Sequence, residues 1–153
     1  MNAQKQFIRE FPEKLKRISP DAQPLFGKMN PQQMVEHMAE YIRLGYGNPV
    51  VTESFYAPEA TEKLHAFLRS DKNFRENTPN PLMSETPAAT VHTDYATAVA
   101  DVAKAVTELF EAFERQPELK VANPFFGLLD EELSYHLLAK HATHHLRQFP
   151  GIS

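Results

Sequence analysis

Apolar residues recur at three- and four-residue intervals through most of this chain, and that spacing predicts helices, not strands. Phe7, Phe11, Leu15 and Ile18 place a first helix over about residues 3–18. Pro12 either kinks it or marks its true start, and Ser19-Pro20-Asp21 ends it. Asn30-Pro31-Gln32-Gln33 opens a second helix. Asn30 is a good N-cap, Pro31 suits the first helical position, and Gln33 can close a capping box. Met34, Met38, Tyr41 and Leu44 mark its apolar side, and Gly45 and Gly47 break it after Leu44. Residues 48–57 read as a connection with short strand character. Pro58 to about Leu68 reads as a third, short helix. Thr93 is the expected cap of a long helix reaching about Gln116, along which Tyr95, Val99, Val102, Val106, Leu109 and Phe113 trace a core stripe. Val121 to Gly127 reads as a tight aromatic connection, Asp130 as the cap of the last helix, and Pro150-Gly151 as its end.

Four substantial helices, a shorter one and two long crossings predict an all-α fold: an up-down four-helix bundle with an additional short helix and long crossover loops, in one domain over residues 1–153. The longest crossing, residues 70–92, is rich in Pro, Asn, Thr and Ser. Loops of that length usually cap a pocket or bridge the two ends of a bundle.

Composition narrows the chemistry. The 153 residues include no cysteine, so disulfides and thiolate ligands are excluded and any metal must be held by histidine and carboxylate. A net charge of −4 and only a short basic cluster, Lys14-Leu15-Lys16-Arg17, argue against a nucleic-acid surface. No apolar run reaches the length of a membrane span, and the first seven residues lack the apolar core of a signal peptide. These features lead us to expect a cytoplasmic protein that is not bound to membrane.

Candidate chemistry concentrates in Lys140-His141-Ala142-Thr143-His144-His145-Leu146-Arg147-Gln148-Phe149. His141 and His145 lie four residues apart, one helical turn above each other. On a helical wheel Glu132, His136, Lys140, Thr143 and Arg147 form a narrow polar stripe, opposite Leu137, Leu138, Ala142, Leu146 and Phe149. His145 falls near the middle of the apolar side, His141 beside it and His144 at its margin. Two histidines thus point toward a core, where imidazoles need partners, either a metal ion or hydrogen-bonding groups. His37 falls on the apolar side of the second helix, which makes it a candidate third ligand. Three ligands from two helices leave coordination positions open, the pattern of a reactive site, and three neutral imidazoles leave the charge of an ion uncompensated, which favours an anionic ligand. An E-x-x-H pair, Glu62 and His65, has the spacing of di-iron bundles but no second copy, so a solvated face is the expected reading.

The 140–149 stretch resembles the C-terminal signature of the DinB-like (DinB/YfiT-like) metal-dependent superfamily of four-helix bundles. Phe26-Gly27-Lys28-Met29 leading into Gln33-Met34-x-x-His37, and Asn123-Pro124-Phe125-Phe126-Gly127-Leu128-Leu129, are similar to a branch of it left as a domain of unknown function. The resemblance implies a three-histidine site for a divalent metal, variously nickel, zinc or iron, with ligand positions at His37, His141 and His145. It also implies small-molecule substrates, since relatives include S-transferases and isomerases that use low-molecular-weight bacterial thiols, and homodimers are common among them. Asn123 stands where the branch typically has histidine.

Three functions follow. The first is a metal-dependent enzyme, a thiol S-transferase or hydrolase, with Gln148 orienting a ligand or water, Tyr41 as proton donor or plain core residue, and His144 as general base or plain surface residue. The second is a binding or stress-response module whose metal only stabilises the bundle. The third is a helical interaction protein without metal.

Overall fold

A computed structural model describes residues 2–76 and 87–149. Helix α1 spans Ala3–Leu15, α2 Pro31–Leu44, α3 Thr61–Arg69, α4 Tyr95–Arg115 and α5 Glu131–Leu146; a 3-10 turn at Pro58–Ala60 leads into α3. Two short strands, β1 (Val121–Asn123) and β2 (Gly127–Leu129), form an antiparallel hairpin before α5, with Val121 opposite Leu129 and Asn123 opposite Gly127.

Local chemistry sets most helix starts. Asn30 accepts from Gln33 N at 2.8 Å and the Gln33 side chain accepts from Asn30 N at 2.9 Å, which closes the expected capping box. Asp130 caps α5 through Leu133 N at 2.9 Å. Several expectations are corrected. The first helix stops at Leu15, three residues early, although Ile18 still reaches the core. Asn2 caps it, so Pro12 does not mark its start; the proline ring is buried inside the helix. Asp94, not Thr93, caps α4 by accepting from Thr97 N at 2.8 Å. A carboxylate there also meets the positive end of the helix dipole, which a threonine hydroxyl cannot do. The residues expected to open the third helix form the 3-10 turn, and residues 48–57 carry no strand. The aromatic connection is the hairpin, whose three-residue strands are too short for an alternating pattern to show. Residues 77–86 of the long crossing, and the Pro150-Gly151 stop, lie outside the described residues.

Helix α2 packs along α4 and α1 along α5, with further contacts between α1 and α4 and between α2 and α5. The shared core contains Ile8, Phe11 and Leu15 of α1, Met34, Met38 and Ile42 of α2, Val102 and Leu109 of α4, and Leu138 and Ala142 of α5. Each large member contributes about 1.5–3 kcal/mol by leaving water. A second apolar cluster, Leu68, Leu129, Leu133 and Leu137, seats α3 and the hairpin on α5. Among the described residues no helix is long and apolar enough to cross a membrane.

Candidate metal centre

The α2 capping box and the buried Met34, Val35, Met38 and Ile42 fix the rotation of α2 in the core. That rotation turns His37 toward α5, where Leu138 and the fully buried Ala142 set the phase that brings His141 and His145 to meet it. His37 Nε2 lies 3.3 Å from His141 Nε2, and His141 Nε2 lies 2.9 Å from His145 Nε2. The ring centroids are 5.1, 5.0 and 4.7 Å apart for the pairs 37–141, 37–145 and 141–145. Each of the three offers a ring nitrogen within 4.8 Å of the other two, and the group can hold a metal ion.

The spacing and the protons fit such an ion. Nitrogens at the usual imidazole–metal distance of about 2.0–2.1 Å stand roughly 2.9–3.4 Å apart, between right-angle and tetrahedral arrangements. The two close approaches fall in that range. His141 Nε2 faces two neighbouring Nε2 atoms, and one proton on it cannot serve both. Its Nδ1 is buried and has no hydrogen-bond partner among the described residues. A cation among the three nitrogens accepts all the lone pairs at once.

Burial holds the imidazoles neutral, as ligands must be. It pushes His37 down to about 4, helped by His144. It pushes His145 down to about 3, helped by His37 and opposed by the bond to Gln148. His141 lies well below the usual histidine range through burial and its three histidine neighbours.

The remaining predicted residues surround this group in different ways. Tyr41 sets its ring edge-on to His141, with centroids 4.1 Å apart. Its hydroxyl accepts weakly from Asn123 Nδ2 at 3.4 Å, and burial raises its pKa, so it stays protonated. His144 is half-buried beside His145, with rings 5.2 Å apart, and packs edge-on against Phe26 and Phe74. It does not stand on a plain surface, and its buried Nδ1 has no hydrogen-bond partner among the described residues. Gln148 is buried and accepts from His145 Nδ1 at 2.8 Å through Oε1, so it contacts a histidine of the group directly.

Sequence reasoning missed three neighbours. Phe74 packs on His141 and His144 and stacks between Phe67 and Phe126, giving the site an aromatic wall. Lys140 ties down the segment before it by donating to the Ser70 and Lys72 carbonyls while its Nζ sits 4.7 Å over the Phe67 ring. Asn123 accepts from the backbone N–H groups of Phe125 and Phe126 and so shapes the hairpin turn, a role its Asn-Pro context could have suggested. The solvated-face reading of His65 is corrected: it is part-buried and donates from Nε2 to the Phe126 carbonyl at 2.8 Å, tying α3 to the hairpin, while Glu62 is exposed.

Compared with family models, curated proteins and solved structures, the chain matches none of them.

Proposed function

We propose that the chain is a metal-dependent enzyme of the DinB-like superfamily, an up-down four-helix bundle in which His37, His141 and His145 hold one divalent ion. The observation that carries this reading is the convergence of three Nε2 atoms from two helices. Nickel, zinc and iron all suit an all-imidazole donor set, and availability selects among them. A bound ion there supplies Lewis acidity, which lowers the pKa of a coordinated thiol or water. The substrate in this reading is a small molecule, either a low-molecular-weight thiol in an S-transfer or an ester in a hydrolysis. Among the described residues no carboxylate joins the histidine group, which leaves a bound ion's charge uncompensated there and favours an anionic donor such as a thiolate.

The chain's own residues bind and orient. Tyr41 packs its ring against His141 and His37 and keeps its hydroxyl protonated, and in this reading that hydroxyl donates to a leaving group. Phe74 packs edge-on against His141 and Phe26 against His144, and in this reading these apolar rings keep water from the ion's neighbourhood. His144, whose ring lies 5.2 Å from that of His145, is the base in this reading.

Elemental analysis of protein purified without a histidine tag tests the reading, in wild type and in His145→Ala. About one equivalent of divalent metal in wild type, lost in the variant, followed by thiol-transfer or esterase activity that depends on the metal, supports it. Stoichiometric metal that stabilises the fold without any turnover favours the second reading, a metal-stabilised binding module. No metal after reconstitution with Zn(II), Ni(II) or Fe(II) leaves the three histidines as core hydrogen-bonders.

A further inference from the structure

Residues 25–27, in the connection between α1 and α2, clasp Gln148 from three sides. Leu25 N–H donates to the Gln148 backbone carbonyl at 2.6 Å. Gln148 Nε2 donates to the Phe26 carbonyl at 3.3 Å. Gly27, in the left-handed region at φ +77°, leaves space for the carboxamide: a Cβ built on it would stand 2.7 Å from Gln148 Nε2.

This clasp fixes a proton two residues away in space. The Phe26 carbonyl can only accept, so the carboxamide must turn its NH₂ toward it. Its oxygen then faces His145 Nδ1 at 2.8 Å and can only accept as well. His145 Nδ1 must therefore carry the ring proton, and Nε2 presents its lone pair to His37 and His141. Gln148 has no other orientation in which both bonds survive.

We infer that Gln148 is a positioning residue for the histidine group and that Gly27 is its seat: the Phe26-Gly27 segment locks the carboxamide, the carboxamide locks the His145 tautomer, and the tautomer sets the affinity for a divalent ion. The inference rests on the metal-site reading for its last link only. A side chain at residue 27 pushes on the most yielding atom it meets, which is the Gln148 amide, and so it reaches His145 although it never touches the ring. Replacing a group that orients a metal-ligating histidine typically weakens metal binding about 10–100-fold.

The test uses the full chain stripped of metal, in wild type, Gln148→Ala, Gln148→Glu, Gly27→Asn and the double variant Gly27→Asn/Gln148→Ala. Asparagine tolerates positive φ while still carrying a Cβ, which separates the steric push from backbone strain. Zn(II) and Ni(II) titrations give the affinities, thermal melts of the metal-free forms report folding, and ¹⁵N NMR of the histidine rings reports the His145 tautomer. We expect Gln148→Ala and Gly27→Asn each to weaken binding about 10–100-fold, and the double variant to be no weaker than Gln148→Ala alone. Gln148→Glu keeps an acceptor for Nδ1 but loses the bond to Phe26, so it melts lower and yet binds nearly as tightly as wild type. A purely structural role for Gln148 predicts instead that affinity follows melting temperature across the set, and that pattern overturns the inference, as does wild-type affinity in Gln148→Ala. If wild type binds neither ion, the metal reading fails and the NMR decides the rest. A protonated Nδ1 in wild type, lost in Gln148→Ala and Gly27→Asn, supports the clasp, and an unchanged tautomer in those two variants overturns it.

Discussion

His37 Nε2 and His141 Nε2 face each other at 3.3 Å across two helices, from positions 104 residues apart in the chain. Nothing local holds them there. The contact exists because α2 and α5 each enter the core in one rotational setting, and the two settings are complementary. Imidazoles placed this way repel any proton that would charge them and attract any cation that would bridge them.

Metal should stabilise the fold by mass action. Free Zn(II) or Ni(II) at a hundredfold excess over its Kd adds about 2.7 kcal/mol to unfolding stability. For a chain of this size that raises Tm by about 5–10 °C. Thermal melts with and without a chelator measure the shift, and His37→Ala should abolish it.

The metal-free protein should lose stability in mild acid. His37 and His145 are pushed down to about 4 and about 3, and His141 well below the ordinary range, whereas in the unfolded chain all three titrate near 6.5. Above that value both states are neutral and the histidines give no pH dependence. As pH falls below it the unfolded chain takes up protons that the native state refuses, so stability drops. The slope is about 1.4 kcal/mol per pH unit for each histidine, until the native values are reached. Urea midpoints between pH 7 and pH 4 measure it, and His37→Gln should remove one histidine's share.

Arg43 and Asp101 join α2 to α4 by two hydrogen bonds, Nη1 to Oδ2 at 3.1 Å and Nη2 to Oδ1 at 2.5 Å, in a setting where each side chain is 22% exposed. His92 Nε2 adds a contact to Oδ2 at 3.2 Å. Asp101→Asn should cost about 1.5–3 kcal/mol, because it breaks a charge-assisted pair in a partly dry setting. Metal affinity should not change, since Arg43 faces α4 while His37 faces α5. Chemical denaturation together with metal titration checks both halves.

Tyr41→Phe keeps the ring against His141 and removes only a hydroxyl that accepts a long bond from Asn123. Metal content should be unchanged and stability should shift by less than about 1 kcal/mol. Turnover should fall on the order of 10²-fold if substrate is present, the loss expected on removing a general acid. An unaltered rate returns Tyr41 to a packing role.

Much of this was legible along the chain. The α2 start is written in Asn30, Pro31 and Gln33, because capping is a contest among neighbouring backbone and side-chain groups. The inward phase of His141 and His145 is written in Leu138, Ala142 and Phe149, because a helix has one period and an apolar stripe orients it. The absence of cysteine determined that a metal, if bound, meets histidine or carboxylate and no thiolate. Other features depend on contacts that sequence spacing does not encode. His37 could be placed on a buried face, but which residues it meets depended on how α2 lies against α5. Gln148 was expected to orient a ligand or water, yet its partner is His145, because the carboxamide is turned by the Phe26 carbonyl 122 residues earlier. Phe74 became a wall of the site only when Lys140 drew the 70–72 carbonyls onto α5. Local hydrogen bonding and periodicity fix where helices start and which way they face; side chains far apart in sequence find their partners only when the core packs, since packing alone sets the register between elements.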